Sequence, residues 1–498
     1  MKPPALVVPG PVPPWNYRRG SRPTRPRLRE LTAMGDHFDR DLVVETSSGT
    51  VRGFLDRGTP NWRGVPYGRV EQRFHPPVPA LPGEPVDGRH WGPICWQLPI
   101  VAGRSPSSVF PDAAESEDCL NLNVWSPGPD PGARRPVLVW LHFGSRAYGA
   151  GSTPMIDVWH FAARHNAVVV TPNYRLGPWG WLYLGALDPE FEDSANLALL
   201  DQILMLRWVK DNIAAFGGDP DNVTVFGMSS GASDLGALLG APAARGLFHK
   251  AASYSGAQAP MLEKDATEFA EEFLAAAGPL AATAAELAAL PNVGLRTVHR
   301  RLLKQSVSRA GGPIIIRYGP FVDGSVLPKA PLDALADGLM AGVALLVSNV
   351  AEEAGVWDAW GAVDHAYSRV FAGSDQSVSH EEKVEQLSEY RWVGPARKLI
   401  AAHHQGGGTG WMQKFDYAPT TNWQTALSYP EVARRPVHGA DVASLFLDPE
   451  GEVGSEDDRA VAALDQAALL ALARDGRAPW TPWSPDNQTP HRIAAAAH

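Results

Sequence analysis

One short stretch limits the folds open to this chain more than any other. The apolar run Val223-Thr224-Val225-Phe226 enters Gly227-Met228-Ser229-Ser230-Gly231, and residues 232–239 continue with helical character. A serine between two glycines is by itself a weak pattern that arises by chance in glycine-rich chains. Set between a buried strand and a helix, it reads as a nucleophile elbow, a turn sharp enough to push the serine Oγ clear of a sheet. Backbone then crowds the positions two before and two after the serine so closely that almost no side chain fits there, and Gly227 and Gly231 supply the room. The helix N-terminus beyond the turn aims N–H groups at the serine, which suits a developing oxyanion.

The surrounding sequence has the grammar of a parallel sheet. Residues 136–142, 167–171 and 223–226 are continuous apolar runs that predict buried strands. Between the last two, residues 197–216 place Leu200, Ile203, Leu204, Leu206, Trp208, Val209 and Ile213 at helical spacing. Strand, helix, strand in that order predicts an α/β fold with a mostly parallel central sheet flanked by helices. Residues 343–348 and 414–417 predict further strands, and residues 381–404 and 464–473 further helices. Residues 263–290 are rich in Ala, Leu and Glu, with Phe269 and Phe273 on one helix face. A single catalytic domain is expected over residues 41–490, with cap-like helical insertions at about 260–335 and 356–410.

Residues 1–40 have a different character, dense in Pro and then in Arg, and predict a disordered arm. Arg18-Arg19 is not followed by an apolar core, so an export signal is not expected and the location expected is cytoplasmic. A net charge of -10 argues against a grip on phosphate backbones, which excludes nucleic acid as the expected partner. No run of about eighteen apolar residues is present, so no membrane span is expected. Cys95 and Cys119 are the two cysteines. Without clustered histidines they make no zinc pattern, and no metal is expected.

The motifs then match a known family. Residues 217–231, Gly-Gly-Asp-Pro-Asp-Asn-Val-Thr-Val-Phe-Gly-Met-Ser-Ser-Gly, resemble the nucleophile signature of type-B carboxylesterases, the cholinesterase-like family of α/β-hydrolases with its bacterial para-nitrobenzyl-esterase-like branch. Residues 116–125, Ser-Glu-Asp-Cys-Leu-Asn-Leu-Asn-Val-Trp, resemble its second signature. Asn173-Tyr174-Arg175-Leu176-Gly177-Pro178, Leu200-Asp201-Gln202 and Arg63-Gly64-Val65-Pro66-Tyr67 are similar to further landmarks, so the likeness runs from about residue 43 to 483.

The resemblance implies an α/β-hydrolase fold and a catalytic triad in the order serine, acid, histidine. Glu352-Glu353-Ala354 stands where the family carries Asp-Glu-Gly, so Glu353 takes the acid position. His438-Gly439-Ala440-Asp441-Val442 is similar to the His-Gly-x-Glu-Leu segment, which makes His438 the base for Ser229. That triad implies an acyl-enzyme formed on a small-molecule ester and released by water, with no cofactor. In secreted relatives the cysteines matching Cys95 and Cys119 are paired, and here either a disulfide or two neighbouring thiols is expected.

The chain departs from the family at the oxyanion loop. The family has His-Gly-Gly-Gly, whereas this sequence has His142-Phe143-Gly144-Ser145, followed by Arg146. By position the oxyanion donors are the N–H groups of Gly144, Ser145 and Ser230. Strain is expected if Ser145 must take a positive φ. Phe143 is expected to narrow the substrate pocket. Arg146 is read either as a receptor for a substrate carboxylate or as an outward, solvated side chain. Met228, read with Phe143 and Arg146 as lining the substrate pocket, replaces the glutamate that cholinesterases carry beside the serine, so choline esters are not expected. The altered loop keeps an acyltransferase, cyclase or other tailoring enzyme open beside an ester hydrolase. A non-catalytic interaction protein on the same fold is the remaining alternative. Either a monomer or a homodimer is expected.

Overall fold

A computed structural model describes residues 42–98, 113–153, 158–256, 261–310, 318–373, 377–420 and 434–495, with Ile156, Asp375 and Val432. The expected N-terminal arm lies outside the described residues, as do residues 311–317 of the first expected insertion.

Ten strands among these residues form one sheet: β1 (Phe54–Asp56), β2 (Thr59–Pro66), β3 (Asn121–Trp125), β4 (Arg135–Leu141), β5 (Val168–Pro172), β6 (Gly218–Met228), β7 (Lys250–Tyr254), β8 (Ala344–Val350), β9 (Gly410–Phe415) and β10 (His491–Ile493). Their order across the sheet is β10-β9-β8-β7-β6-β4-β5-β3-β2-β1. Every pairing from β10 to β5 is parallel, and the β5–β3, β3–β2 and β2–β1 pairings are antiparallel. Strand direction of travel reverses at β4, whose neighbours are β5 on one side and β6 on the other. In open α/β sheets such a reversal leaves a crevice at the carboxyl ends of the strands.

Both faces of the central strands are covered, which is why they read as continuous apolar runs. Val137, Val139 and Leu141 of β4 and Val223 and Val225 of β6 face one core. Leu138 and Trp140 of β4 with Phe226 and Met228 of β6 face the other, where Trp140 packs against Phe226 and Phe446 at ring separations of 5.0 and 4.9 Å. Helix α1 (Leu197–Asn212) links β5 to β6, and α2 (Ser230–Leu238) follows β6 directly. Helices α3 (Glu263–Ala277) and α4 (Asn292–Ala310) lie between β7 and β8. Helices α5 (Val363–Val370), α6 (His380–Ser388) and α7 (Gly394–Gln405) lie between β8 and β9, and α8 (Ala440–Leu445) and α9 (Glu456–Asp475) come after β9. No helix among the described residues is long and apolar enough to cross a membrane.

Several boundaries differ from those read in the sequence. The helical stretch read over 263–290 is interrupted at Gly278-Pro279, because proline offers no N–H to the preceding turn. The helix expected over 381–404 is two helices joined by a π-helical turn, Glu389–Val393, just before Gly394-Pro395. The strand expected at 414–417 begins earlier, at Gly410. Helix α9 begins well before residue 464, because Ser455 and Asp458 form a capping box that starts it at Glu456.

Two buried carboxylates show opposite solutions to one problem. Asp201 on α1 takes the Arg175 guanidinium at 2.7 Å, with the two side chains 0% and 2% exposed, and also accepts the Arg175 N–H at 3.0 Å. Asp465 on α9 is equally buried but has only Gln413 Nε2 on one oxygen, at 2.9 Å, and burial pushes its carboxyl up to about 7. Asp201→Ala leaves Arg175 buried and uncompensated, so chemical denaturation is expected to show a loss of about 3–5 kcal/mol. For Asp465 the native state holds a proton that the unfolded chain releases, so the stability it contributes is lost as pH rises through about 7. Asp465→Asn keeps the acceptor and removes this dependence. Relative to the parent, its melting temperature is expected to rise by a margin that grows between about pH 4 and 7 and levels off above, corresponding to a few kcal/mol at most.

Candidate active site

Strand β6 ends at Met228 and α2 starts at Ser230, leaving Ser229 on the turn with φ 55° and ψ -119°. Such a conformation costs on the order of 1–3 kcal/mol and persists only where the surroundings enforce it. Here they do. A Cβ on Gly227 would stand 2.8 Å from the Gly231 carbonyl carbon, and one on Gly231 would stand 2.1 Å from the Leu141 carbonyl oxygen. The Ser229 N–H donates to the Tyr254 carbonyl at 2.9 Å, tying the turn to the end of β7.

Glu353 opens a 3-10 helix (Glu353–Trp360) beyond β8, and His438 sits in the turn before α8. These two loops are joined by a parallel bridge between Glu352 and Val437, in which the Glu352 N–H donates to the Pro436 carbonyl at 3.0 Å. His438 Nδ1 then lies 2.7 Å from Glu353 Oε2, and its Nε2 lies 2.9 Å from Ser229 Oγ. The other Glu353 oxygen accepts from Asn349 Nδ2 at 3.0 Å and from the Val350 N–H at 3.1 Å, so the fully buried carboxylate is held from both sides. Its partners assign the tautomer, with the proton on Nδ1 toward the carboxylate and the Nε2 lone pair toward the hydroxyl. Glu352 points elsewhere, paired with Arg435 at 2.6 Å.

Asp441 on α8 occupies the position of the family's glutamate and is fully buried, with no hydrogen-bond partner on either oxygen. Burial first, and then the neighbouring Glu353 carboxylate, push its carboxyl well above the usual range. Both causes favour the neutral acid here and oppose a second negative charge beside Glu353.

The loop after β4 is where glycine was lost. Gly144 has φ 127°, and a Cβ there would stand 1.9 Å from the Tyr148 carbonyl oxygen, so this position admits glycine alone. Phe143 needs no positive φ. Ser145 does adopt one, φ 54°, and so does Arg146, φ 60°. The N–H groups of Gly144, Ser145 and Ser230 have no acceptor among the described residues. Burial lowers His142 to about 4, which keeps it neutral where it stacks on Tyr174, ring centroids 4.4 Å apart.

Two expectations about the pocket need correction. Arg146 is neither solvated nor open to a substrate: it is buried, its Nε donates to Asp234 Oδ1 at 2.5 Å, and its Nη1 donates to the Tyr318 carbonyl at 3.0 Å. Met228 is 1% exposed and packs in the core cluster with Trp140 and Phe226 rather than forming a pocket wall. Phe143 is half-buried against the same cluster. Cys95 and Cys119 are buried free thiols; the Leu176 N–H donates to Cys95 Sγ at 3.2 Å. Hydrogen bonding with Cys95, and then burial, push the Cys119 thiol well up. The sequence reading missed Asn349, Asp234 and Trp392, whose ring lies 5.1 Å from that of His438.

Residues 40–366 match the carboxylesterase family. The para-nitrobenzyl esterase of Bacillus subtilis (strain 168) is 35% identical over 363 residues, 72% of this chain and 70% of that protein. Liver carboxylesterase 1 of Oryctolagus cuniculus is 35% identical over 335 residues, 62% of this chain and 58% of the relative. Among solved structures, a PNB esterase superposes with a TM-score of 0.75 at 28% identity, covering 91% of this chain and 95% of its own. The carboxylesterase EST55 of Geobacillus stearothermophilus does so with a TM-score of 0.75 at 31% identity, covering 92% and 97%. The sheet is that of an α/β-hydrolase, and the chain belongs to the carboxylesterase family, as a serine hydrolase of carboxylic esters.

Proposed function

We propose that Ser229 attacks the acyl carbonyl of a small or medium ester while His438 takes its proton and Glu353 holds the imidazole and stabilises its cation. His438 returns the proton to the departing alcohol, leaving an acyl-enzyme. Water, deprotonated by the same histidine, then releases the acid. The observation that carries this reading is the continuous hydrogen-bonded line from Ser229 Oγ through His438 to Glu353, at 2.9 and 2.7 Å.

The oxyanion in both steps is assigned to the N–H groups of Gly144, Ser145 and Ser230. All three are backbone donors, so the loss of two family glycines leaves the donor set in place, and the acyltransferase or cyclase reading gains no support from the loop. The N-terminal position of Ser230 on α2 adds the favourable end of the helix dipole.

A fluorophosphonate probe and 4-nitrophenyl butyrate test the assignment together. Ser229→Ala is expected to abolish labelling, and His438→Ala to lower kcat by at least about a thousandfold. Labelling that persists in Ser229→Ala would reject the nucleophile. In the oxyanion loop, Gly144→Ala forces a Cβ onto the Tyr148 carbonyl and is expected to lower kcat on the order of a hundredfold. Ser145→Ala keeps both the N–H and the positive φ and is expected to cost far less. Equal losses in the two variants, with melting temperatures alike, would remove the backbone assignment.

A further inference from the structure

A second arginine lies by the site, and among the described residues it lacks the partner that Arg146 has. Arg391 belongs to the π-helical turn Glu389–Val393 between α6 and α7. Extra residues of this kind inside helices recur at functional sites, because they re-aim a side chain. Its guanidinium carbon lies 5.4 Å from the ring centroid of Trp392, the same ring that lies 5.1 Å from the imidazole of His438. Its Nε is buried without a hydrogen-bond partner, although the residue as a whole is only half-buried.

Among the described residues the charges around it do not balance. The nearby Arg146 guanidinium is neutralised by Asp234, and the second Asp234 oxygen accepts from Gln202 Nε2 at 3.0 Å. No carboxylate among the described residues pairs with Arg391. Burial, and then the repulsion of Arg146, lower its pKa, the signature of a cation held without an anion. A buried cation is costly unless something pairs with it, and a guanidinium matches a carboxylate with two parallel hydrogen bonds.

We propose that Arg391 binds a carboxylate carried by the substrate, so that the preferred ester is an anion: a half-ester of a dicarboxylic acid, or an ester of a carboxylate-bearing alcohol. The proposal rests on the Ser229 reading above and names the substrate class for that site. It also transfers to Arg391 the role that the sequence suggested for Arg146.

The test compares charged and neutral members of two matched pairs. Mono-(4-nitrophenyl) glutarate against 4-nitrophenyl pentanoate puts the carboxylate on the acyl side. 4-Butanoyloxybenzoate against its methyl ester puts it on the alcohol side. In the parent enzyme, the anionic member of one pair is expected to have the higher kcat/KM, by a margin that shrinks with added salt, and the pair that responds identifies the side. Arg391→Met is expected to lower the anionic-to-neutral ratio for that pair by at least about tenfold, and Arg391→Lys to restore part of it. Ratios in Arg391→Met within about twofold of the parent for both pairs would overturn the proposal. Calorimetric titration of the Ser229→Ala protein with monomethyl glutarate and with 4-butanoyloxybenzoate reads the same contact without turnover, and adding Arg391→Met is expected to weaken the binding of one of the two by at least about tenfold. Equal binding would overturn it. Absent fluorophosphonate labelling and neutral-ester turnover in the parent would instead sink the Ser229 assignment, leaving the titration to decide on Arg391.

Discussion

The Leu141 carbonyl oxygen and the backbone of Gly231 stand so close that a Cβ at 231 would lie 2.1 Å from that oxygen, and the site is arranged around this approach. Leu141 ends β4 and is in register with Gly227, four residues before Gly231. Helix α2 can therefore start directly above the end of β4. The loop that leaves β4 is then compelled to pass the first turn of α2. Two segments more than eighty residues apart thus meet, the loop that carries Gly144 and Ser145 and the helix that opens at Ser230, whose N–H groups make up the proposed donor set. A side chain at 231 would lift the helix and part them.

This local crowding is why the elbow was legible in the sequence while other parts were not. Gly227, Ser229 and Gly231 are explained by contacts with their own turn and with the adjacent strand. The apolar runs of β4, β5 and β6 announced themselves because both faces of the sheet are covered. Boundaries set by a single residue pair were harder, as at Gly278-Pro279 and at the π-helical turn before Gly394-Pro395. For the acid, family likeness indicated Glu353 over Glu352, but the physical distinction is made by Arg435, which takes Glu352, and by Asn349 and Val350, which hold Glu353. The fate of Arg146 was illegible because its partner, Asp234, is 88 positions away and reads as an ordinary polar residue in a helix.

The interior carries several carboxylates, and they differ in what they pair with. Asp201 and Asp234 each face an arginine, Arg175 and Arg146. Asp441 and Asp465 face none, and burial raises both, as it raises Asp234 against the pull of Arg146. Glu353 lies between these cases, sharing its carboxylate with His438, Asn349 and the Val350 N–H. If Asp441 were ionised beside it, two negative charges would favour protonated His438 and spoil a base meant to accept a proton from Ser229. The upward shift of Asp441, from burial and from Glu353 itself, works against that second charge.

The same pairing explains how the loop after β4 tolerates the loss of glycine. Ser145 and Arg146 both stand at positive φ, a conformation that costs each about 1–2 kcal/mol. The loop is held there by the Arg146 side chain on Asp234 and the Tyr318 carbonyl, and by the Gly177 N–H on the Arg146 carbonyl at 2.7 Å. Asp234 is itself on α2, one turn beyond Ser230. The ion pair therefore fastens the loop to the helix whose first N–H completes the proposed donor set. Where the family relies on glycines that accept the bend without strain, this chain uses a buried charge pair to impose it. Arg146 is thereby committed to architecture, and the proposed carboxylate contact falls to Arg391 instead.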